Sequence, residues 1–127
     1  MSHGKSGRVP NKPLIAIVED DDSLRPALIG FVRSLGYDGE GFISAEAFLD
    51  GDASTRADCL VSDYQLPGID GIDLSTRMQG RLPVILVTAR TERGIDVRAE
   101  AAGVRCLLRK PFDTDTLADC IRRALDS

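Results

Sequence analysis

The sequence predicts an α/β fold: a doubly wound, five-stranded parallel sheet covered by five helices. Three observations lead there. Short runs of β-branched and apolar residues recur four times along the chain, with a weaker strand candidate near Tyr37–Phe42. Segments with helical spacing alternate with them. The clearest runs are apolar at every position rather than at alternate ones, as in strands buried on both faces. The 127 residues suit one domain with its own core.

Residues 1–12, MSHGKSGRVPNK, are rich in Gly, Ser and basic residues. They are read as a flexible tail, leaving 13–127 as the folded domain. The one histidine, His3, lies in that tail, which argues against a catalytic role. The first strand is Leu14–Val18, ended by four acids, Glu19 to Asp22. From Asp22 to Leu35 the residues Leu24, Leu28, Phe31, Val32 and Leu35 share one helical face, and Gly36 follows as a stop. Pro26 falls in the first turn, where its missing N–H costs little. A weaker strand near Tyr37–Phe42 precedes Ser44, the expected N-cap of a short helix through Leu49, closed by Gly51.

The third strand, Cys59–Ser62, ends at Asp63, and a loop with Pro67, Gly68 and Gly71 leads into a helix near Ile72–Met78. Pro83–Val87 is the clearest strand. Thr91 is the expected cap of a helix to Ala102, weakened by Gly94 inside it by about 1 kcal/mol relative to alanine. The last strand is Val104–Leu108, and the last helix starts near Asp113, burying Leu117, Cys120, Ile121, Ala124 and Leu125. Parallel strands need right-handed crossovers, so helices must cover both faces. Five strands suit the flavodoxin-like order 2-1-3-4-5.

Composition narrows the function. With 43% hydrophobic and 28% charged residues, the chain is neither disordered nor a coiled coil. A formal charge of −4 and the absence of tryptophan disfavour direct nucleic-acid binding. No apolar stretch approaches the ~20 residues of a membrane span, and no signal peptide is visible, so a cytoplasmic protein is expected. Cys59, Cys106 and Cys120 are odd in number, widely spaced and without a C-x-x-C pair. They are expected to be buried, reduced thiols rather than a zinc site or a disulfide framework.

In an open parallel sheet the ligand site lies beyond the carboxyl ends of the strands. The residues just after the apolar runs are Glu19 and Asp20, Asp63, Thr88 and Lys110. Each alone has an ordinary explanation. Acids after a strand often cap the next helix, as expected for Asp22 and Asp21. An Asp can form a turn, a Thr can approach a helix, and a Lys is commonly a solvated charge. Their convergence on one edge is the informative feature. Two carboxylates ~4 Å apart repel by about 4 kcal/mol at an effective dielectric near 20, so crowded acids call for a cation. Carboxylate oxygens without His or Cys favour Mg²⁺, with Mn²⁺ as a substitute. A divalent ion, Lys110 and the Thr88 hydroxyl around Asp63 would cradle a transferring phosphoryl group, with Asp63 as nucleophile.

Four segments in order, Ile17-Val18-Glu19-Asp20-Asp21, Ser62-Asp63-Tyr64-Gln65-Leu66-Pro67-Gly68-Ile69-Asp70-Gly71, Val84-Ile85-Leu86-Val87-Thr88-Ala89 and Lys110-Pro111-Phe112, resemble the receiver domain of two-component response regulators. The resemblance spans residues 13–126, and the second segment, with Pro67 four and Gly71 eight residues after Asp63, is its most specific part. It implies a phosphorelay protein in which Asp63 accepts a phosphoryl group from a phosphohistidine on a sensor histidine kinase or phosphotransfer protein. Glu19, Asp20, Asp63 and the backbone carbonyl of Gln65 would hold Mg²⁺, and Thr88 and Lys110 would contact phosphoryl oxygens. The Lys110–Pro111 bond would be cis. No organic cofactor is implied. Such a domain is a signalling phosphoacceptor rather than an enzyme, although it assists its own phosphorylation and dephosphorylation.

Three departures stand out. Leu107 occupies the position, three residues before the lysine, where the family often places Phe or Tyr. The acid pair is Glu-Asp where many members have Asp-Asp. The stretch from Asp63 to Thr88, 25 residues, is short, so a trimmed third helix or loop is expected. The expected output face is Thr91–Leu108 and Asp113–Asp126, meeting a downstream protein target. Arg122 and Arg123 read as a solvated helix face, with a phosphorylation-dependent homodimer contact as the alternative. Gln65 and Arg90 are candidates for tuning phosphoryl lifetime. A stand-alone, single-domain regulator is expected, with a receiver cut from a longer parent as the alternative. A phosphatase-type aspartate enzyme fits less well, because Leu24 stands where its motif wants Thr or Val. A nucleotide or flavin binder would not put four acids after its first strand. A degenerate docking receiver would usually lack Asp63, Thr88 or Lys110.

Overall fold

The computed structural model describes residues 12–89 and 93–126. The strands are β1 (Leu14–Val18), β2 (Asp38–Phe42), β3 (Cys59–Asp63), β4 (Val84–Thr88) and β5 (Val104–Arg109). The helices are α1 (Leu24–Ser34), α2 (Ala45–Asp50), α3 (Ala53–Arg56), α4 (Gly71–Met78), α5 (Ile95–Ala101) and α6 (Thr114–Asp126). The sheet is parallel throughout, in the expected order β2-β1-β3-β4-β5.

The fully apolar runs explain the layering. β1, β3 and β4 are buried at every residue. Alternate side chains serve opposite faces. Ile15, Ile17, Cys59, Val61, Ile85 and Val87 meet Leu28 and Val32 of α1 and Leu117, Ile121 and Ala124 of α6. Leu14, Ala16, Val18, Leu60 and Val84 meet Phe48 of α2 and Leu74 and Met78 of α4. Leu86 joins Tyr64 with Ile95 and Ala99 of α5. The strand ends on which the polar groups sit are therefore fixed from both sides.

Several local expectations are corrected. A sixth helix, the four-residue α3, breaks the segment between α2 and β3. Gly94 is not inside a helix: it is the N-cap of α5 in the left-handed region, φ +87°. Glycine there relieves strain instead of weakening a helix. Thr91 and Arg90 lie outside the described residues, as does nearly all of the N-terminal tail, 1–11. Neither acid is the N-cap of α1, which is Ser23 without a side-chain cap bond; Asp21 Oδ1 accepts from the N–H groups of Ser23 (2.7 Å) and Leu24 (3.0 Å), while Asp22 pairs with Arg25 at 2.7 Å. Ser44 caps α2 as expected, accepting from Ala47 N–H at 3.0 Å.

The cysteines also differ from expectation. Cys59 is a free, buried thiol, but Cys106 and Cys120 form a disulfide, with Cα atoms 6.3 Å apart. α6 folds back onto β5, so residues 14 apart in the chain face each other. No spacing rule for cysteines could show that pairing from the sequence.

Candidate functional site

Four of the five strands contribute to one edge of the sheet. Glu19 follows β1 directly, and its N–H donates to Phe42 O of β2 at 3.0 Å, extending the strand pairing by one residue. Its carbonyl accepts from the Arg25 guanidinium (2.9 Å), and its Oε2 accepts from Asp21 N–H (3.1 Å). Glu19 is only 3% exposed. Asp20, the next residue, is exposed. Asp63 closes β3 opposite Val87 of β4, and it is nearly buried. Thr88 ends β4 and is buried. Lys110 follows β5, and its N–H donates to Thr88 O at 2.8 Å, which brings the two together at adjacent strand ends.

The charged groups converge. One carboxylate oxygen from each of Glu19, Asp20 and Asp63 lies within 4.8 Å of the others, a cluster that could hold a metal ion. The Lys110 ammonium stands 3.4 Å from Glu19 Oε1 and 3.5 Å from Asp63 Oδ2. Burial pushes the Asp63 carboxyl above its ordinary range; Lys110 pulls it back down, and Asp20 adds to the rise. Burial also raises Glu19, against the pull of the Asp21 N–H, with Asp63 adding repulsion and Lys110 opposing it. One ammonium therefore leaves the crowded negative charge undercompensated. An all-oxygen, half-dry donor set of this kind suits a hard divalent cation that keeps waters or phosphate oxygens.

The site opens into a cleft of about 700 Å³ lined by Asp20, Asp63, Gln65, Pro67, Ala89 and Lys110, among others. The loop from Asp63 to α4 forms one wall. Its geometry explains Gly71: a Cβ there would lie 2.4 Å from Asp63 O, so only glycine lets α4 begin this close to the end of β3. Gly71 N–H in turn donates to Tyr64 O at 2.9 Å. The Lys110–Pro111 bond is cis, as expected.

Residues 15–122 match the response regulator receiver domain. The chain belongs to that family. Among its relatives, nodulation protein W of Bradyrhizobium diazoefficiens is 34% identical over 118 residues, covering 91% of this chain and 52% of that protein. The transcriptional regulatory protein FixJ of the same organism is 34% identical over 114 residues, covering 87% of this chain and 56% of that protein. This receiver thus spans about half the length of those relatives. A response regulator receiver protein from Burkholderia phymatum superposes with a TM-score of 0.80 at 36% identity, covering 91% of this chain and 96% of that one. The structure titled FixJ-N gives 0.81 at 27% identity, covering 91% and 95%. The chain is thus a receiver of two-component signalling, a domain whose standard function is phosphorylation on aspartate. Among the described residues, no helix is long and apolar enough to cross a membrane.

The structure brings Glu19, Asp20, Asp63, Gln65, Thr88 and Lys110 to one edge, with Gln65 exposed on the cleft wall. Sequence reasoning missed two supports. Glu46 of α2 accepts from Ile69 N–H at 2.9 Å, tying the cleft loop to a different helix, and that bond holds the Glu46 carboxyl below its ordinary range. Arg98 of α5 donates to the Tyr64 hydroxyl at 3.3 Å and stands 5.9 Å from the ring centroid, linking α5 to the residue after Asp63. Neither partner pair has a local signal, since 23 and 34 residues separate them.

Proposed function

We propose that Asp63 is the phosphoacceptor of this receiver. An Asp63 carboxylate oxygen attacks the phosphorus of a phosphohistidine on a sensor histidine kinase or phosphotransfer protein. The P–N bond breaks and the electron pair leaves with the imidazole. Glu19, Asp20, Asp63 and the Gln65 backbone carbonyl are the groups that would hold Mg²⁺, or Mn²⁺ in its place. When bound, the ion supplies positive charge against the phosphoryl oxygens. Lys110 supplies a second positive charge, and the Thr88 hydroxyl donates to a phosphoryl oxygen once Asp63 is modified. The observation that carries the reading is the three-carboxylate cluster within 4.8 Å, with the Lys110 ammonium 3.5 Å from Asp63.

The domain is a phosphoacceptor that assists its own labelling and hydrolysis, working in the cytoplasm and occupying 13–127. Phosphorylation biases a pre-existing equilibrium of the face built by α5, β5 and α6 toward a downstream protein target, with a homodimer as one form of that contact. The test is incubation with Mg²⁺ and acetyl phosphate, followed by intact mass. The expected product carries one hydroxylamine-labile phosphoryl group, and Asp63→Asn carries none. Full labelling of Asp63→Asn overturns the assignment.

A further inference from the structure

We propose that Cys106 and Cys120 are a reversible dithiol–disulfide pair that staples α6 to β5, closed by a low-molecular-weight disulfide such as oxidised glutathione. This inference does not depend on the chemistry at Asp63. It rests on where the two sulfurs sit. Cys106 lies in the middle of β5, opposite Ile85 of β4, and packs against the core beneath α6. Cys120 lies in the middle of α6, 3% exposed, in that same core. Their Cα atoms are 6.3 Å apart, within the span a disulfide bridges without moving backbone.

The two thiols have unequal access, and that assigns their roles. Cys106 is half-buried and meets solvent at the rim of the α6–β5 seam, whereas Cys120 is enclosed. Arg123 places a guanidinium nitrogen 3.9 Å from Cys106 Sγ and 3.8 Å from Cys120 Sγ, while its Nε pairs with Asp119 at 3.2 Å. A positive charge beside both sulfurs favours the thiolate that performs exchange. The Cys106 thiolate attacks one sulfur of the small disulfide, forming a mixed disulfide and expelling one small thiolate. The Cys120 thiolate then attacks Cys106 Sγ, closing the protein bond and expelling the second. The two protons lost by the cysteines end on the two small thiols, so the protein is oxidised by two electrons and the small disulfide is reduced by two. Cys59 takes no part: it is fully buried in β3, and burial pushes its thiol up to about 12.

Closure joins β5, which Lys110 directly follows, to the next helix, so the staple spans the segment that carries Lys110 into the site. The experiment equilibrates the full chain in glutathione buffers from fully reduced to fully oxidised, quenches it, and counts maleimide-reactive thiols by mass after unfolding. Three thiols are expected at the reducing end and one, mapped to Cys59, at the oxidising end, with a single two-thiol transition between. Cys120→Ser is expected to stop as a glutathione adduct on Cys106, and Cys106→Ser to react far more slowly. Amide exchange in α6 is expected to slow roughly tenfold on oxidation of the native chain, and not in Cys106→Ser. A pair that stays open in the most oxidising buffer overturns the proposal. So does one that stays closed in the most reducing buffer, a bond that includes Cys59, or exchange in α6 that is equal in both states. The native chain alone yields all four of these results, whether or not either serine variant folds.

Discussion

The centre of the sheet and its β5–α6 flank are built differently. β1, β3 and β4 are buried at every position; β3 and β4 end in Asp63 and Thr88, and Glu19 directly follows β1. β5 has a single buried residue, Leu108, and its register against β4 shifts between Val84 and Ile85. Neighbouring α5 leaves Val97 70% exposed. The groups that must be held close against mutual repulsion stand on the packed strands. β5 has fewer buried residues than the central strands, although α6 beside it buries Leu117, Cys120, Ile121 and Ala124. Lys110 is the link: it belongs to the flank by chain position and to the centre by its 3.4 and 3.5 Å contacts with Glu19 and Asp63. A change in charge at Asp63 therefore acts directly on a residue that follows β5.

The largest test of this contrast is a pair of truncations. Leu86 is fully buried between Tyr64, Ile95 and Ala99. Leu86→Ala is expected to cost about 3 kcal/mol in urea unfolding, from lost burial plus the cavity left behind. Val97→Ala, on the exposed side of α5, is expected to change stability by no more than about 0.5 kcal/mol. Comparable costs at the two positions would erase the distinction between centre and flank.

A smaller effect of opposite sign is expected at the site itself. In the metal-free protein, burial holds the Asp63 carboxyl above its ordinary range. An acid raised on folding binds its proton more tightly in the folded state. Its contribution is therefore most favourable below the unfolded value, and stability falls as pH rises toward the folded value. At neutral pH the ionised group is a net cost. Asp63→Asn removes it, so the metal-free variant is expected to melt a few degrees above the native chain, with the gain shrinking as pH falls through the raised Asp63 value and gone below the ordinary carboxylate range. An unchanged or lower Tm would show that Lys110 already compensates the site, and that the crowding is not energetically felt. The expectation joins two readouts of one substitution, loss of labelling and a gain in metal-free stability.

This division also explains what the sequence disclosed. The central strands were readable because both faces are covered, which forces unbroken apolar runs. Glu19, Asp20, Asp63, Thr88 and Lys110 were readable because each immediately follows such a run or the last strand. Gly71 was visible as part of a loop, but its cause, a backbone so close to Asp63 O that no Cβ fits, is tertiary. Gly94 was misread because a glycine three residues after a plausible cap fits a helix interior as well as an N-cap, and only the backbone angle separates the two. The four-residue α3 is too short to carry a period. Asp21 bonds the first N–H groups of α1 while Asp22 pairs with Arg25, a division that a run of four acids does not disclose. The Cys106–Cys120 pairing and the Glu46–Ile69 bond depend on how helices dock on the sheet, which adjacent residues do not encode.

The smallest expected effect is the sharpest test of where the site ends. Leu107 faces the Tyr64–Leu86–Ile95 cluster and borders a hollow of about 260 Å³ with Asp96, Ala99, Glu100, Val104 and Arg109. In the β4–β5 register it stands opposite Leu86, two positions behind the Thr88–Arg109 pair. The hollow's lining includes none of Glu19, Asp20 and Asp63, so a tyrosine directed along it would stay clear of that cluster. Leu107→Tyr is therefore expected to leave the rate of Mg²⁺-dependent labelling by acetyl phosphate within roughly twofold of the native chain, a barrier change below about 0.5 kcal/mol. A fall of about tenfold, or 1.4 kcal/mol, would place Leu107 in mechanical contact with the phosphoacceptor edge. The buried centre would then extend through β5, and the flank would be part of the chemistry rather than its reader.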